Sequence, residues 1–198
     1  MKIIGISASP RANSNTDSLL EQALKGAESK GAKTEKISLA KLKFSPCIEC
    51  GGCDKTGVCV LKDGLTPIYK KINEADGVIL ASPIFFGSLS AQAKAMIDRF
   101  QSEWIAKYIL KKDRRKRPAR GGSAYGGKKG VFLCVSASGR KDFFENAKSI
   151  TRNFFAVINA KYEGELFSPR VEKKGEIRKY KATLKKAHSL GVKLAKGK

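Results

Sequence analysis

The chain has 198 residues, 40 of them Lys or Arg and 18 Asp or Glu, for a formal net charge of +22. That length suits one domain with a sizeable core, and 41% hydrophobic content with 10 Phe, 5 Tyr and 1 Trp excludes wholesale disorder. No apolar run approaches the roughly 20 residues of a membrane span, and a single histidine, His188, speaks against histidine-dependent catalysis and His-rich metal sites.

In chain order, residues 2–7 are a short apolar run expected to form a buried parallel strand, not a secretory signal. This points to a cytoplasmic chain, where cysteines serve as metal ligands or catalytic groups more often than as disulfides. Residues 15–30 carry Leu19, Leu20, Ala23, Leu24 and Ala27 at helical spacing, with Gly31 as a stop. A second strand is expected over 33–39. Residues 44–60 form a Cys/Gly segment with no usable periodicity. Thr66-Pro67 reads as a helix entry, a capping hydroxyl before proline. Residues 77–81 predict a third strand and 90–110 a long helix, with Ala93, Met96, Ile97, Phe100, Trp104 and Tyr108 on one side. A basic, Gly-rich loop spans 111–129. A fourth strand (131–135), a helix (142–158), a fifth strand (162–167) and a last amphipathic helix (176–194) complete the chain.

Strands alternating with helices predict one α/β domain over 1–198, a doubly wound parallel sheet. Five strands suit the flavodoxin-like order 2-1-3-4-5, with the cysteine-rich stretch 44–60 inserted after strand 2. Ligands of this fold sit beyond the strand C-termini at the switch point.

The charge is uneven. Residues 1–110 hold 15 basic and 11 acidic residues, residues 111–129 nine against Asp113, and residues 140–198 sixteen against six. Net charge bears on solubility and anionic partners, not on fold. The Arg114-Arg115-Lys116-Arg117-Pro118-Ala119-Arg120 run invites a nucleic-acid reading, but it lacks a recognition motif and an aromatic stacking platform. It reads better as a solvated loop, or as a docking surface for an acidic redox partner such as a ferredoxin or for the phosphates of NAD(P)H.

In the predicted topology three loops rich in Ser, Gly and Pro emerge on one edge. The first, 7–16, leads into a helix whose free N–H groups make an anion site. The hydroxyls of Ser9, Ser14 and Thr16, the Asn15 amide and the Arg11 guanidinium are candidate phosphate donors. Alone, this stretch reads equally well as a helix cap. The second loop, Ser82-Pro83-Ile84-Phe85-Phe86-Gly87-Ser88, sets aromatics at a strand end beside a glycine. The third is Ser136-Ala137-Ser138-Gly139-Arg140. Together they favour a phosphate pocket with a slot for an aromatic ring. Neither a Walker A loop nor Gly-x-Gly-x-x-Gly is present.

Gly5-Ile6-Ser7-Ala8-Ser9-Pro10-Arg11 through Asn15-Thr16 resembles the phosphate loop of the NADPH-dependent FMN reductase group of flavodoxin-like proteins. Residues 75–87 followed by Lys94-Ala95-Met96-Ile97-Asp98-Arg99 resemble its flavin-ring segment and following helix. The resemblance covers residues 1–105 well and the rest by strand–helix order. It implies non-covalent FMN, with phosphate contacts from Ser9, Arg11, Asn15 and Thr16. It also implies ring contacts from Pro83, Ile84, Phe85, Phe86 and Gly87 and from the third loop with Ser136, Ser138 and Gly139.

Cys47-x2-Cys50-x2-Cys53-x5-Cys59 places four thiols within 13 residues, interleaved with glycines that permit tight turns. Zinc usually takes two separated pairs; this compact run is closer to that of a [4Fe–4S] cluster. With the flavodoxin-like pattern it resembles the iron-sulfur flavoproteins of anaerobic microbes. The resemblance implies electron transfer between a [4Fe–4S] cluster and FMN in a homodimer or homotetramer with flavin near an interface. Open alternatives are a cysteine run without a cluster, in a NAD(P)H-dependent FMN or quinone reductase acting on small acceptors, zinc binding, and disulfides, which a cytoplasm disfavours. No residue stands out as a general acid or base. Asp98 and Arg99 read as a structural pair at a helix end, Lys94 as a solvated helix position, and Cys134 as a small buried hydrophobe.

Overall fold

The computed structural model describes residues 1–112 and 127–196. Strands β1 (Lys2–Ser7), β2 (Lys33–Ser38), β3 (Gly77–Phe85), β5 (Lys128–Val135) and β6 (Ala160–Ser168) form a parallel sheet in the order β2-β1-β3-β5-β6. Counting these five alone, the order is 2-1-3-4-5. A two-residue strand, β4 (Ser88–Leu89), folds back antiparallel onto the end of β3, which the sequence reading lacked. It extends β3 well beyond residue 81 and sets Phe86, at φ 46°, on the hairpin tip.

Alternate residues of the buried strands enter two cores, as the two-residue strand period requires. On one face Ile4, Ile6, Val78, Leu80, Phe132 and Cys134 pack against α2 (Thr66–Glu74), α3 (Ala91–Arg99) and α5 (Lys141–Val157). On the other, Ile3, Ile79, Ala81, Val131, Leu133 and Val135 pack against α1 (Asn15–Glu28) and α6 (Lys181–Ala195). Helices α1 and α6 touch backbone to backbone: a Cβ on Gly191 would fall 1.7 Å from the Ala23 carbonyl oxygen. Cys134 is fully buried in the first core.

The helix expected over 90–110 is broken. α3 ends at Arg99, α4 (Gln101–Trp104) follows, and Ile105–Ile109 is a π turn. The cause is lateral: the Arg99 carbonyl accepts the Tyr69 hydroxyl (2.7 Å). The Glu103 N–H, which would meet that carbonyl in a continuous helix, donates to Phe100. Phe100 is drawn into an aromatic cluster with Tyr69 and Phe154, at 4.8 and 5.1 Å between ring centroids. Similarly, a 3₁₀ turn (Glu176–Lys179) precedes α6 where one helix was expected. Thr66 is the first helical residue of α2 and not its cap; its hydroxyl accepts from Asp63 N–H (3.0 Å). Most of the basic loop, including Arg114, Arg115, Lys116, Arg117 and Arg120, lies outside the described residues. Among the described residues no helix is long and apolar enough to cross a membrane.

Candidate functional site

The loop after β1 turns into α1 because Ser14 caps it. The Ser14 hydroxyl accepts Asp17 N–H (3.1 Å) and the Asp17 carboxylate accepts Ser14 N–H (3.0 Å), a reciprocal capping box. Asp17 also accepts the Ser7 hydroxyl (2.6 Å) and pairs with Lys36 (3.1 Å). Burial opposes its ionisation, but these hydrogen bonds and Lys36 outweigh burial and hold its carboxyl below the usual value. An acid in the first turn is thus locked away on its own partners. The N–H groups of the first helical turn have no acceptor within the helix, as at any helix start.

The loop between β3 and α3 is tied to this helix start. Ala8 N–H donates to Ala81 O (2.8 Å), and the Ser90 hydroxyl donates to Ala8 O (2.6 Å) while capping α3 through Ala93 N–H. One cleft of about 220 Å³ results, bordered by Ser9, Arg11, Ser14, Asn15, Thr16, Pro83, Ile84 and Phe85. These are eight of the thirteen residues expected to touch the cofactor. Ser14 and Thr16 hydroxyls lie 3.0 Å apart, and Ser9 accepts Arg11 N–H (3.2 Å).

The other five do not border the cleft. Phe86 is fully exposed on the hairpin tip. Gly87, at φ 73°, has the Phe143 ring against it. Ser136 is buried and accepts Ser138 N–H (3.1 Å), a turn that sets Ala137 on the cleft wall in place of either serine. Gly139 faces the Arg170 guanidinium. Asn15 borders the cleft, but its amide is engaged: it donates to Lys173 O (2.9 Å) and accepts Ile177 N–H (3.2 Å). This tie brings in a fourth loop, after β6, whose Val171, Glu172 and Lys174 complete the cleft. Sequence reading missed that loop, although the topology opens it on the same edge.

The four cysteines of the segment after β2 all border one cavity of about 320 Å³, with Arg99, Gln101, Ser102 and Ile105 as its helical wall. Cys47 and Cys50 are exposed, Cys53 and Cys59 half-buried. Burial first, then Asp54 and the neighbouring Cys59 and Cys47, push the Cys53 thiol up from its ordinary value. Among the described residues, no group of three or more His, Cys, Asp or Glu converges closely enough for a single metal ion.

Arg99 does not pair with Asp98. Asp98 takes Lys94 (2.8 Å), the α-helical partner four residues earlier. Arg99 is 1% exposed and reaches out of α3 to Asp63 (2.7 Å), to Ser45 O (2.8 Å) and to Leu61 O (3.4 Å). Burial opposes its charge, yet Asp63, Tyr69 and Cys59 around it more than restore the protonated form.

Residues 1–168 match the NADPH-dependent FMN reductase family. An iron-sulfur flavoprotein of Methanocaldococcus jannaschii is 40% identical over 157 residues, covering 79% of this chain and 72% of the relative. Another, from Methanosarcina thermophila, is 36% identical over 135 residues, 68% of this chain and 71% of that one. Among solved structures, a NAD(P)H:quinone oxidoreductase from Methanothermobacter marburgensis superposes with a TM-score of 0.69 at 17% identity, covering 100% of this chain and 98% of its own. A flavone reductase gives 0.68 at 22% identity, over 98% of this chain and 62% of that one; at such identities the likeness is one of fold. The flavodoxin-like sheet and these matches agree that the chain is an FMN-dependent oxidoreductase and belongs to the NADPH-dependent FMN reductase family, among its iron-sulfur flavoproteins.

Proposed function

We propose that this oxidoreductase passes electrons between FMN in the cleft and a [4Fe–4S] cluster held by Cys47, Cys50, Cys53 and Cys59. The observation that carries the cluster half is that all four thiols border one cavity. The donor set fits: four thiolates fill the positions of one cluster, and four irons space their ligands more widely than one ion does. Arg99, which borders the cavity, also carries a buried Nε–H with no hydrogen-bond partner among the described residues, which suits a sulfur-rich guest. When bound, FMN exchanges a hydride or single electrons, and the cluster exchanges one electron at a time.

The chain's own residues bind and orient. The Ser9, Ser14 and Thr16 hydroxyls, the Arg11 guanidinium and the first N–H groups of α1 hold the phosphate. Pro83, Ile84 and Phe85 line the ring side, and Ser136 and Ser138 keep Ala137 on the wall. Asn15 acts by fastening the fourth loop. Residues 1–198 then form one FMN domain with the cysteine insertion, in a cytoplasm that keeps the thiols reduced. Exposed Ile48, Trp104, Tyr108 and Ile109 support a homodimer or homotetramer. Arg11 and Lys174 beside the cleft favour an anionic donor, NAD(P)H or an acidic ferredoxin.

The test is anaerobic purification followed by flavin, iron and sulfide analysis. About one FMN and about four irons per chain are expected, with the irons lost together and the flavin kept on Cys50→Ala. Bound flavin with neither iron nor labile sulfide after reconstitution overturns the cluster. It would leave a NAD(P)H-dependent FMN or quinone reductase.

A further inference from the structure

The cysteine segment has no strand or helix of its own to hold it. From residue 42 to residue 65 the chain is irregular apart from turns and bends; one backbone bond, Gly64 N–H to Lys43 O (2.9 Å), joins its ends, and its hold on the rest of the fold needs side-chain contacts. One side chain makes those contacts at both ends. The Arg99 guanidinium donates to Ser45 O, two residues before Cys47, and to Leu61 O, two residues after Cys59. It is anchored by Asp63, whose carboxylate accepts Ser45 N–H (3.2 Å) and Leu65 N–H (3.0 Å) as well as the guanidinium. Arg99 therefore closes residues 45–63 into a loop against the end of α3. An arginine suits this task because its planar fork serves several acceptors at once, which a lysine ammonium on a flexible stem does not.

That bonding uses the terminal nitrogens. Nε is buried and has no hydrogen-bond partner among the described residues. A buried donor left unsatisfied costs free energy unless a bound group takes it. Arg99 borders the same cavity as all four cysteines. The side chain thus brings a permanent positive charge and a spare N–H to a thiolate-rich site. Net charge and hydrogen bonds to the sulfurs are two of the quantities that set a cluster's reduction potential.

We propose that Arg99 is the positioning residue of the cysteine segment, strapping its two ends to α3 and offering its charge and Nε–H to the cluster held there. This rests on the cluster reading above. It predicts that removing the cation lowers the cluster's reduction potential, because the reduced form carries one more negative charge.

The experiment compares the wild-type chain with Arg99→Gln, Arg99→Lys and Asp63→Asn, all carrying FMN, after anaerobic reconstitution with ferrous iron and sulfide. Three quantities are read: cluster loss to an iron chelator, midpoint potential of the cluster that forms, and alkylation rates of Cys47 and Cys59 in iron-free protein. Arg99→Gln is expected to lose the cluster about tenfold more readily, in line with outer-shell substitutions at metal sites. Its potential falls and its thiols alkylate faster. Arg99→Lys restores the potential but not the slow alkylation, a split that a merely structural arginine would not produce. If Arg99→Gln fails to retain FMN, Arg99→Lys and Asp63→Asn decide: wild-type alkylation and cluster retention in both overturn the strap. An unchanged potential in a loaded Arg99→Gln overturns the electrostatic role. A wild-type chain that takes up neither iron nor sulfide overturns the cluster reading, and the donor role with it. The alkylation comparison on iron-free protein still decides the strap.

Discussion

The cleft proposed to hold FMN and the cysteine cavity are built by different means. The cleft is assembled by the fold: three strand ends and a helix start deliver short polar side chains to one edge, and backbone bonds such as Ala8 to Ala81 lock the loops together. The cysteine segment, closed by a single backbone bond from Gly64 N–H to Lys43 O, is strapped to its neighbour by one buried arginine with partners on both flanks. Damage to the first region is therefore expected to spread through the sheet and its helices. Damage to the second is expected to stay local unless it reaches the end of α3.

The sharpest way to break that contrast is Phe154→Ala. Phe154 is 1% exposed and packs edge-on against Phe100, at the joint where α3 ends. A loss of about 4 kcal/mol is expected from the cavity left behind, with iron uptake falling more than FMN affinity. Urea unfolding and the two cofactor titrations measure this, and an equal loss at both sites would erase the distinction. Gly191→Ala works from the other side. Its Cβ cannot coexist with the Ala23 carbonyl, so α1 must move, at about 3 kcal/mol for overpacking. FMN affinity is expected to drop while cluster retention holds.

Smaller effects test the cleft itself. Arg11→Met is expected to weaken FMN by about 2 kcal/mol, the worth of a charge-assisted hydrogen bond, with a flatter salt dependence in fluorescence titration. Ser14→Ala removes the cap and is expected to cost about 1 kcal/mol. Asp17 adds a pH signature. Its folded carboxyl titrates below its ordinary value of 3.8. Its contribution is therefore full above that value and lost as pH falls through the lower, folded value. Acid unfolding followed by circular dichroism should begin at higher pH in Asp17→Asn, which lacks this charge at every pH.

Most of the architecture was legible because it rests on patterns that need no partner. Apolar runs of strand length, helical spacing in residues 15–30 and glycine stops all report burial directly. The cysteine spacing, the hydroxyl-rich first loop and the Pro83–Phe85 strand end were legible for the same reason: their chemistry lies within a few residues. What escaped was decided sideways. The break after Arg99 comes from Tyr69, thirty residues earlier. Asn15 looked like a phosphate donor and instead fastens Lys173 and Ile177, over 150 residues away. Asp98 and Arg99, adjacent in the chain, take different partners because successive helical residues point to different sides.

The residues alone thus determined the strand–helix alternation, the hydroxyl-rich, capped helix start and the presence of four thiols in a short glycine-rich run. These are local quantities, set by period, capping and composition. Only the tertiary structure decided which eight of thirteen residues share a cleft, that a fourth loop completes it, and that a buried arginine holds the cysteine segment in place. Each of those depends on contacts between distant parts of the chain, and a guanidinium reads the same in sequence whether it faces solvent or closes a loop.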